Sequence, residues 1–168
     1  GSDIAPESIE VDFETGDLSQ ADFYIDPTFP WVITEDAYEG NYAIKSSCEG
    51  ENNGVSAIEI TVDVPYDATM SFWHKVDCEY YFDNARFFID GVERSLITGD
   101  IDWEYKEFEV TKGVHTYRWT YRKDSDDYVT STDAYFLDNI VLYKKHEPFA
   151  GGWIKYDDGN YKNALGSD

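Results

Sequence analysis

Asp138 is the residue whose position points most clearly to chemistry. Within residues 135–142 it shares one alternating phase with Phe136, Ile140 and Leu142, and the other phase is also mainly apolar. A strand that is apolar on both faces is expected at the centre of a sheet, where a carboxylate is costly unless it is paired, hydrogen-bonded or metal-bound. Two interpretations are open: a cation ligand, or a carboxylate that caps the amides of a nearby loop.

Glu14 is the natural partner of Asp138 in a cation site. It follows a short run in which Ile9, Val11 and Phe13 alternate with acidic residues. Two carboxylates held close together repel each other, and a hard cation such as calcium relieves that repulsion because it prefers oxygen ligands. The pattern therefore favours a cation between the first and the last strong strands.

Aromatic residues give the best indication of a ligand surface, because one core of this size cannot hold all of them. The surplus rings are Trp31, Trp73, Tyr80, Tyr81, Trp103 and Trp153. Exposed rings can stack on the apolar faces of sugars while nearby polar groups fix the hydroxyls. We predict a ligand-binding surface formed by Tyr80, Tyr81, Asp83, Arg86 and Trp103. The alternative is that these rings cover the edges and fill the core, because Tyr and Trp are amphipathic.

Other reactive residues do not form a catalytic pattern. The three histidines lack ligand spacing, and His74 shares a strand face with apolar residues, which favours a core position. Asp100, Asp102 and Glu104 alternate, but they follow Gly99, and we interpret them as a solvated turn. The chain is predicted to be non-enzymatic, and a glycoside hydrolase with paired carboxylates is the less favoured alternative.

Cys48 and Cys78 allow two interpretations. In a secreted protein they could form a single disulfide, and otherwise they are two buried thiols. No histidine can be placed beside either thiol to activate it as a nucleophile.

The elements that must position these residues are strands. Apolar and aromatic residues recur with period two, and turn residues such as Asp90-Gly91 separate the runs. The predicted strands cover residues 8–13, 42–47, 55–64, 68–77, 84–90, 103–110, 115–123 and 134–144. Many short strands with turns between them predict an all-β sandwich or jelly roll.

Composition limits the partners. The 168 residues include 35 acidic and 13 basic side chains and carry a formal charge of −22. This charge argues against nucleic acid or an anionic membrane as the main partner. No apolar run approaches the roughly 20 residues of a membrane-spanning helix, so we predict no membrane insertion.

Three segments form a characteristic set: Phe13-Glu14, residues 40–45 (Gly-Asn-Tyr-Ala-Ile-Lys) and residues 136–140 (Phe-Leu-Asp-Asn-Ile). This set resembles jelly-roll modules of the MAM and carbohydrate-binding-module type, including the cleaved-adhesin domains of gingipains and haemagglutinins from Bacteroidetes. Residues 71–76, 86–91, 113–119 and 121–125 follow in the order that such modules show. The resemblance covers about residues 8 to 145 and implies a concanavalin-like jelly-roll β-sandwich.

The resemblance also implies a structural calcium ion. Its ligands would be the carboxylates of Glu14 and Asp138 with backbone oxygens near Gly40 and Lys45. Side chains from Asp36, Glu39 or Asn41 could complete the shell of about 6–8 oxygens that calcium takes.

These observations predict a jelly-roll module over residues 3–145. Residues 146–168 would be a linker followed by a tail that docks on the sandwich, or by the start of a further module. The resemblance implies an adhesion or binding module of a larger bacterial protein, located outside the cell or on its outer surface. Its partner would be a glycan or a host or cell-surface protein, and the alternative is a spacer without a small ligand.

Overall fold

The computed structural model describes residues 4–125 and 132–146 in full, and beyond them the backbone of three short strands. The strands of the first part are β1 (Ser8–Val11), β2 (Tyr24–Ile25), β3 (Val32–Thr34), β4 (Ala43–Lys45), β5 (Val55–Val64), β6 (Ala68–Asp77), β7 (Asn84–Ile89), β8 (Val92–Ile97), β9 (Asp100–Val110), β10 (Gly113–Arg122) and β11 (Ala134–Lys145). The short strands are β12 (Pro148–Phe149), β13 (Trp153–Lys155) and β14 (Tyr161–Asn163).

The strands β1 to β11 form two antiparallel sheets packed face to face. One has six strands, in the order β3-β4-β11-β6-β9 with β1 also paired to β11, and the other has five, in the order β2-β5-β10-β7-β8. Successive strands cross repeatedly from one sheet to the other. The predicted all-β jelly-roll sandwich is therefore confirmed, and within the described residues no helix could span a membrane.

The core lies between the two sheets because one phase of each strand is apolar. Phe72 of β6 lies 4.7 Å from Phe87 of β7 and 5.6 Å from Trp119 of β10, measured between ring centroids. His74 is buried in the same layer, where its ring nitrogens contact the Tyr135 hydroxyl and the Glu104 carboxylate, each at 2.8 Å. The prediction of a core histidine is thus confirmed.

Strand β11 is central, as its two apolar phases predicted. It pairs with β6 on one side and with β4 and β1 on the other. Its pairing with β6 shifts register between Asp138 and Val141, and Asn139 has a φ of 44°. A bulge therefore interrupts the strand beside Asp138 and redirects its side chains.

Two predictions need correction or completion. Asp100, Asp102 and Glu104 are not in a turn, because β9 begins at Asp100 and pairs with β6 as far as Asp77. Cys48 and Cys78 are both buried and free, so the thiol alternative is the one that the structure shows.

The tail forms pairs of its own. Strand β13 pairs with β12 and with β14, and these three strands make a separate small sheet. The side chain of Trp153 lies outside the described residues, and the boundary at residue 146 stays a prediction.

Candidate functional site

A groove of about 570 Å³ lies on the outer face of the six-stranded sheet. Its lining comes from β1, β6, β9 and β11 and from the loop at Gly40. We call this feature the outer-face groove. Its wall combines aromatic rings with carboxylates, an amide and a hydroxyl, as expected of a site that takes a polar ligand with some apolar surface.

The aromatic part of the groove comes from neighbouring strands. Trp73 of β6 and Tyr105 of β9 are register partners, and their ring centroids lie 5.5 Å apart at an interplanar angle of 54°. Tyr38, which follows β3, stacks on Trp73 at 3.7 Å and 12°. Trp103 meets Tyr38 edge-on at 6.1 Å, so these rings form one continuous row across the sheet.

Glu14 binds the part of the loop that follows Gly40. Its carboxylate oxygens accept hydrogen bonds from the backbone amides of Asn41 (2.8 Å) and Tyr42 (2.9 Å). A Cβ built on Gly40 would lie 2.5 Å from this carboxylate. Since Gly40 also has a φ of 70°, both the close approach and the backbone conformation require glycine there.

Asp138 binds the part of the same loop that precedes Gly40. It is fully buried, and its carboxylate accepts hydrogen bonds from the amides of Tyr38 and Glu39, each at 3.1 Å, and of Asn139 at 2.8 Å. Burial and, to a smaller extent, the charge of Glu14 together raise the pKa of Asp138 to about 6 against the effect of these hydrogen bonds. The structure therefore places Glu14 and Asp138 close enough for their charges to interact, and Asp138 does cap loop amides.

A residue with a positive φ lies next to each of these two acids. Phe13, immediately before Glu14, has a φ of 63°, and Asn139, immediately after Asp138, has a φ of 44°. Phe13 is fully buried, and its amide donates to Gln20 Oε1 at 2.7 Å, which holds the strained turn in place. Such residues cost on the order of 1–3 kcal/mol each and are frequent at ligand sites.

The donor set around Glu14 and Asp138 fits a hard cation. Both acids offer carboxylate oxygens, which hard cations prefer as ligands. The Asp138 carboxylate is fully buried, and a cation would relieve the repulsion between the two negative charges. The other residues predicted as calcium ligands make different contacts in the structure. Lys45 lies in β4 opposite Phe136, and Asp36 forms an ion pair with Lys75 at 2.6 Å. Glu39 accepts a hydrogen bond from the Asn139 amide group at 2.8 Å.

The predicted ligand residues lie in three places. Tyr80 and Tyr81 are 72% and 77% exposed, and together with Phe82 they form a projecting aromatic cluster, which we call the tip. Arg86 lies on β7 of the other sheet and forms an ion pair with Glu93 at 3.0 Å. Trp103 belongs to the aromatic row, and within the described residues no ring contact joins it to the tip.

Asp83 does not belong to an exposed ligand surface. It is fully buried, and its carboxylate contacts Lys123 Nζ at 2.7 Å. Lys123 is itself buried and also contacts Asp133, at 2.8 Å. Burial tends to lower the pKa of Lys123, but the hydrogen bonds that it donates to both carboxylates raise it above its ordinary value. This buried ionic group anchors the segment that carries the tip, and nothing in the local sequence pattern indicates it.

Glu79, Asp83 and Asp124 form one further acidic cluster, with a carboxylate oxygen from each within 4.8 Å of the others. Because Lys123 already compensates Asp83, this group has a cationic partner within the protein.

Tyr105 of the groove and Tyr38 of the aromatic row are two rings that the sequence interpretation missed. Tyr105 was detectable, since it shares a strand phase with Trp103 and both alternate with charged residues. Tyr38 carries no such signal because it lies in a loop whose path depends on Glu14 and Asp138.

No protein-family model and no curated protein sequence matches the chain. Solved structures do. The CBM22-1 xylan-binding domain of Paenibacillus barcinonensis Xyn10C has 14% identity and a TM-score of 0.56, over 86% of this chain and 99% of that one. TmCBM61, solved in complex with β-1,4-galactotriose, has 18% identity and a TM-score of 0.51, over 79% and 94%.

The K3 cleaved adhesin domain of Lys-gingipain from Porphyromonas gingivalis w83 is also among the similar structures, with 13% identity and a TM-score of 0.49, over 80% of this chain and 97% of that one. At these identities the comparisons concern the fold. The resemblance to carbohydrate-binding-module β-sandwiches that the motifs predicted is confirmed at that level.

Proposed function

We propose that the chain is a non-catalytic module that binds a glycan in the outer-face groove. The observation that carries this proposal is the groove itself, in which Trp73 and Tyr105 stand beside hydrogen-bonding groups. Aromatic rings pack against the C–H faces of sugar rings, and the polar groups of the lining would fix hydroxyls. The fold that this chain shares with sugar-binding modules supports the same conclusion.

The chemistry of the acids also favours binding over catalysis. A glycoside hydrolase needs one carboxylic acid and one carboxylate facing the scissile bond. Glu14 and Asp138 instead accept hydrogen bonds from the amides of one loop, an arrangement that shapes the loop beside the groove.

Removal of the groove rings tests the glycan proposal. A glycan array first identifies oligosaccharides that bind. We expect Trp73→Ala and Tyr105→Ala each to weaken binding of these oligosaccharides about tenfold or more, and a tenfold change corresponds to about 1.4 kcal/mol of binding free energy. Titration calorimetry measures the loss. The matched control is Tyr81→Ala, which removes a ring of the tip and should bind as the unmodified protein does. Equal binding by all three variants would contradict the proposal.

A structural calcium ion is the second part of the proposal. Glu14 and Asp138 would supply its carboxylate ligands, and the ion would neutralise their repulsion and fix the loop that carries Tyr38 beside Trp73. We expect calcium to raise the melting temperature and excess chelator to lower it, because the ion would bind only the folded state.

Two variants make this calcium test specific. Glu14→Gln keeps an acceptor for the loop amides but removes a charged ligand, and Asp138→Asn does the same at the buried position. Both should lose the response of the melting temperature to calcium. An unmodified protein that melts identically in calcium and in excess chelator has no such site.

Protein adhesion is a second candidate function, and the tip supports it. Tyr80, Tyr81 and Phe82 are exposed side by side, and Thr98 Oγ1 accepts the Tyr81 amide at 2.8 Å and donates to the Asp83 carbonyl at 2.6 Å. A rigid exposed aromatic cluster of this kind is typical of contact sites between proteins. In both cases we place the module outside the cell or on its outer surface, where such ligands occur.

A further inference from the structure

The charge of the outer-face groove bears on the kind of glycan that it takes. Its lining contains the acids Glu10, Asp12, Glu14 and Glu39 but only one basic residue, Lys144. Glu14 accepts two loop amides, and Glu39 is bonded to Asn139. Glu10 and Asp12, both exposed at the end of β1, therefore remain as the acids that face a ligand.

Asp12 is held in place by two hydrogen bonds. Its Oδ1 accepts the amide of Glu14 at 3.0 Å and the side chain of Gln20 at 2.8 Å. Both hydrogen bonds use Oδ1, so among the described residues the second carboxylate oxygen is left to accept a hydrogen bond from a ligand.

Aromatic rings on this face of the sheet already bind a cation. Lys75 Nζ lies 4.6 Å from the ring centre of Phe136 and 5.5 Å from that of Trp103. Trp73 and Tyr105 continue the same row into the groove. An ammonium group placed between these rings and the carboxylates of Glu10 and Asp12 would gain both a cation–π interaction and charged hydrogen bonds.

We propose, on the basis of the function proposed above, that the groove selects glycans with free, protonated amino groups, such as polymers of 2-amino-2-deoxy sugars. A neutral sugar would partly desolvate Glu10 and Asp12 without compensating their charge, and an anionic sugar would be repelled. An amino sugar supplies an apolar ring face for Trp73 and Tyr105 and a cation for the acids.

Two oligosaccharides of equal length provide the test, one of glucosamine and one of N-acetylglucosamine, because they share the sugar ring and differ at the nitrogen, which carries a protonated amine in one and a neutral acetamide in the other. Calorimetry is carried out at a pH at which the free amine is protonated. We expect the glucosamine oligomer to bind about tenfold tighter or more, and this advantage to shrink as salt is added.

Glu10→Gln and Asp12→Asn should each remove most of the preference while still binding the acetylated oligomer. Asp63→Asn is the matched control, because Asp63 is an exposed acid on β5 of the other sheet. If Asp63→Asn lowers the preference as much as Glu10→Gln, the total charge of the protein is the cause and the proposal fails.

Other outcomes separate the two proposals. If both oligomers bind equally and binding depends on Trp73, the amino-sugar proposal fails while the glycan-binding function stands. If neither they nor neutral glycans bind in the groove, the proposed function fails as well. If an oligolysine peptide binds with the same affinity and the same dependence on Glu10 and Trp73, the groove recognises cationic peptides and the glycan class is overturned.

Discussion

Glu14 and Asp138 shape the site by satisfying backbone amides of one loop. The amides of Tyr38 and Glu39 meet Asp138, and those of Asn41 and Tyr42 meet Glu14. Four amide donors of one loop are thus paired with two carboxylates, one just after β1 and one on β11, that are far apart in the sequence. Single residues therefore decide where Tyr38 lies against Trp73.

Gly40→Ala should show how closely this loop fits its acids. The new Cβ would collide with the Glu14 carboxylate, and the φ of 70° would also be strained. We expect a loss of about 3 kcal/mol of unfolding free energy from strain and overpacking together. Urea denaturation measures this loss.

Gly91→Ala is the matched control for that substitution. Gly91 has a φ of 80° but no atom within 4 Å of a built Cβ, so only the backbone term applies. Its expected cost is about 1 kcal/mol. Equal losses in the two variants would show that the contact with Glu14 contributes nothing.

At the level of elements, the β7–β8 turn is tied to β10 by an ion pair. Asp90 Oδ2 contacts His115 Nδ1 at 2.6 Å, and Asp90 Oδ1 accepts the Thr116 amide at 2.8 Å. Burial tends to lower the pKa of His115, but its hydrogen bonds to Asp90 and to the Thr111 carbonyl raise it overall. Burial tends to raise the pKa of Asp90, and its bonds to His115 and Thr116 lower it overall.

The stability of this turn should therefore depend on pH in both directions. The contribution of His115 is complete below its ordinary pKa of 6.5 and is lost as pH rises through the raised value. The contribution of Asp90 is complete above 3.8 and is lost as pH falls through the lowered value. The pair should stabilise the fold most between these pKa values, by less than about 1 kcal/mol because Asp90 is half exposed.

Urea unfolding of Asp90→Asn across pH measures this effect. The difference in unfolding free energy between the unmodified protein and the variant should be greatest in that window and smaller on either side. Glu35→Gln, at an exposed acid in the segment between β3 and β4, is the control and should show no such maximum. A difference that does not vary with pH would contradict the ion-pair assignment.

At the scale of the whole molecule, the strands fall into the two sheets of the sandwich, formed by β1 to β11, and a small sheet formed by the tail. Strands β12, β13 and β14 pair with one another, and β1 completes the six-stranded sheet on β11. The last paired side chain of the sandwich that the structure describes is His146, which contacts Glu109 at 2.6 Å. The described contacts of the sandwich therefore extend from β1 to His146.

Truncation tests this division of the chain. A chain that ends at residue 146 should melt at the temperature of the full chain and keep its groove binding, because β1 to β11 remain intact. Removal of residues 1–11 is the contrasting variant and should lower the melting temperature, because it deletes β1 and the buried Val11. A comparable fall in both would show that the tail contributes to the sandwich.

The sequence by itself determined the local structure and one half of the site. Period-two alternation is a property of the strand backbone, so β5, β6, β7, β10 and β11 could be located without coordinates. The two apolar phases of β11 placed it centrally and marked Asp138 as unusual. The alternating run before Glu14 suggested it as the partner acid, the resemblance of the motifs added Gly40, and the structure brings these three residues together.

Only the tertiary structure decided which side chains share a surface. Asp83 looked like a ligand residue, yet it is buried against Lys123, which is 40 positions away in the sequence. Trp73 and Tyr105 became neighbours through the register of β6 and β9, and Tyr38 joined them through amides that meet Asp138, about 100 positions later. Alternation states which face a residue occupies but not which strands lie side by side, because that choice depends on how the two sheets pack.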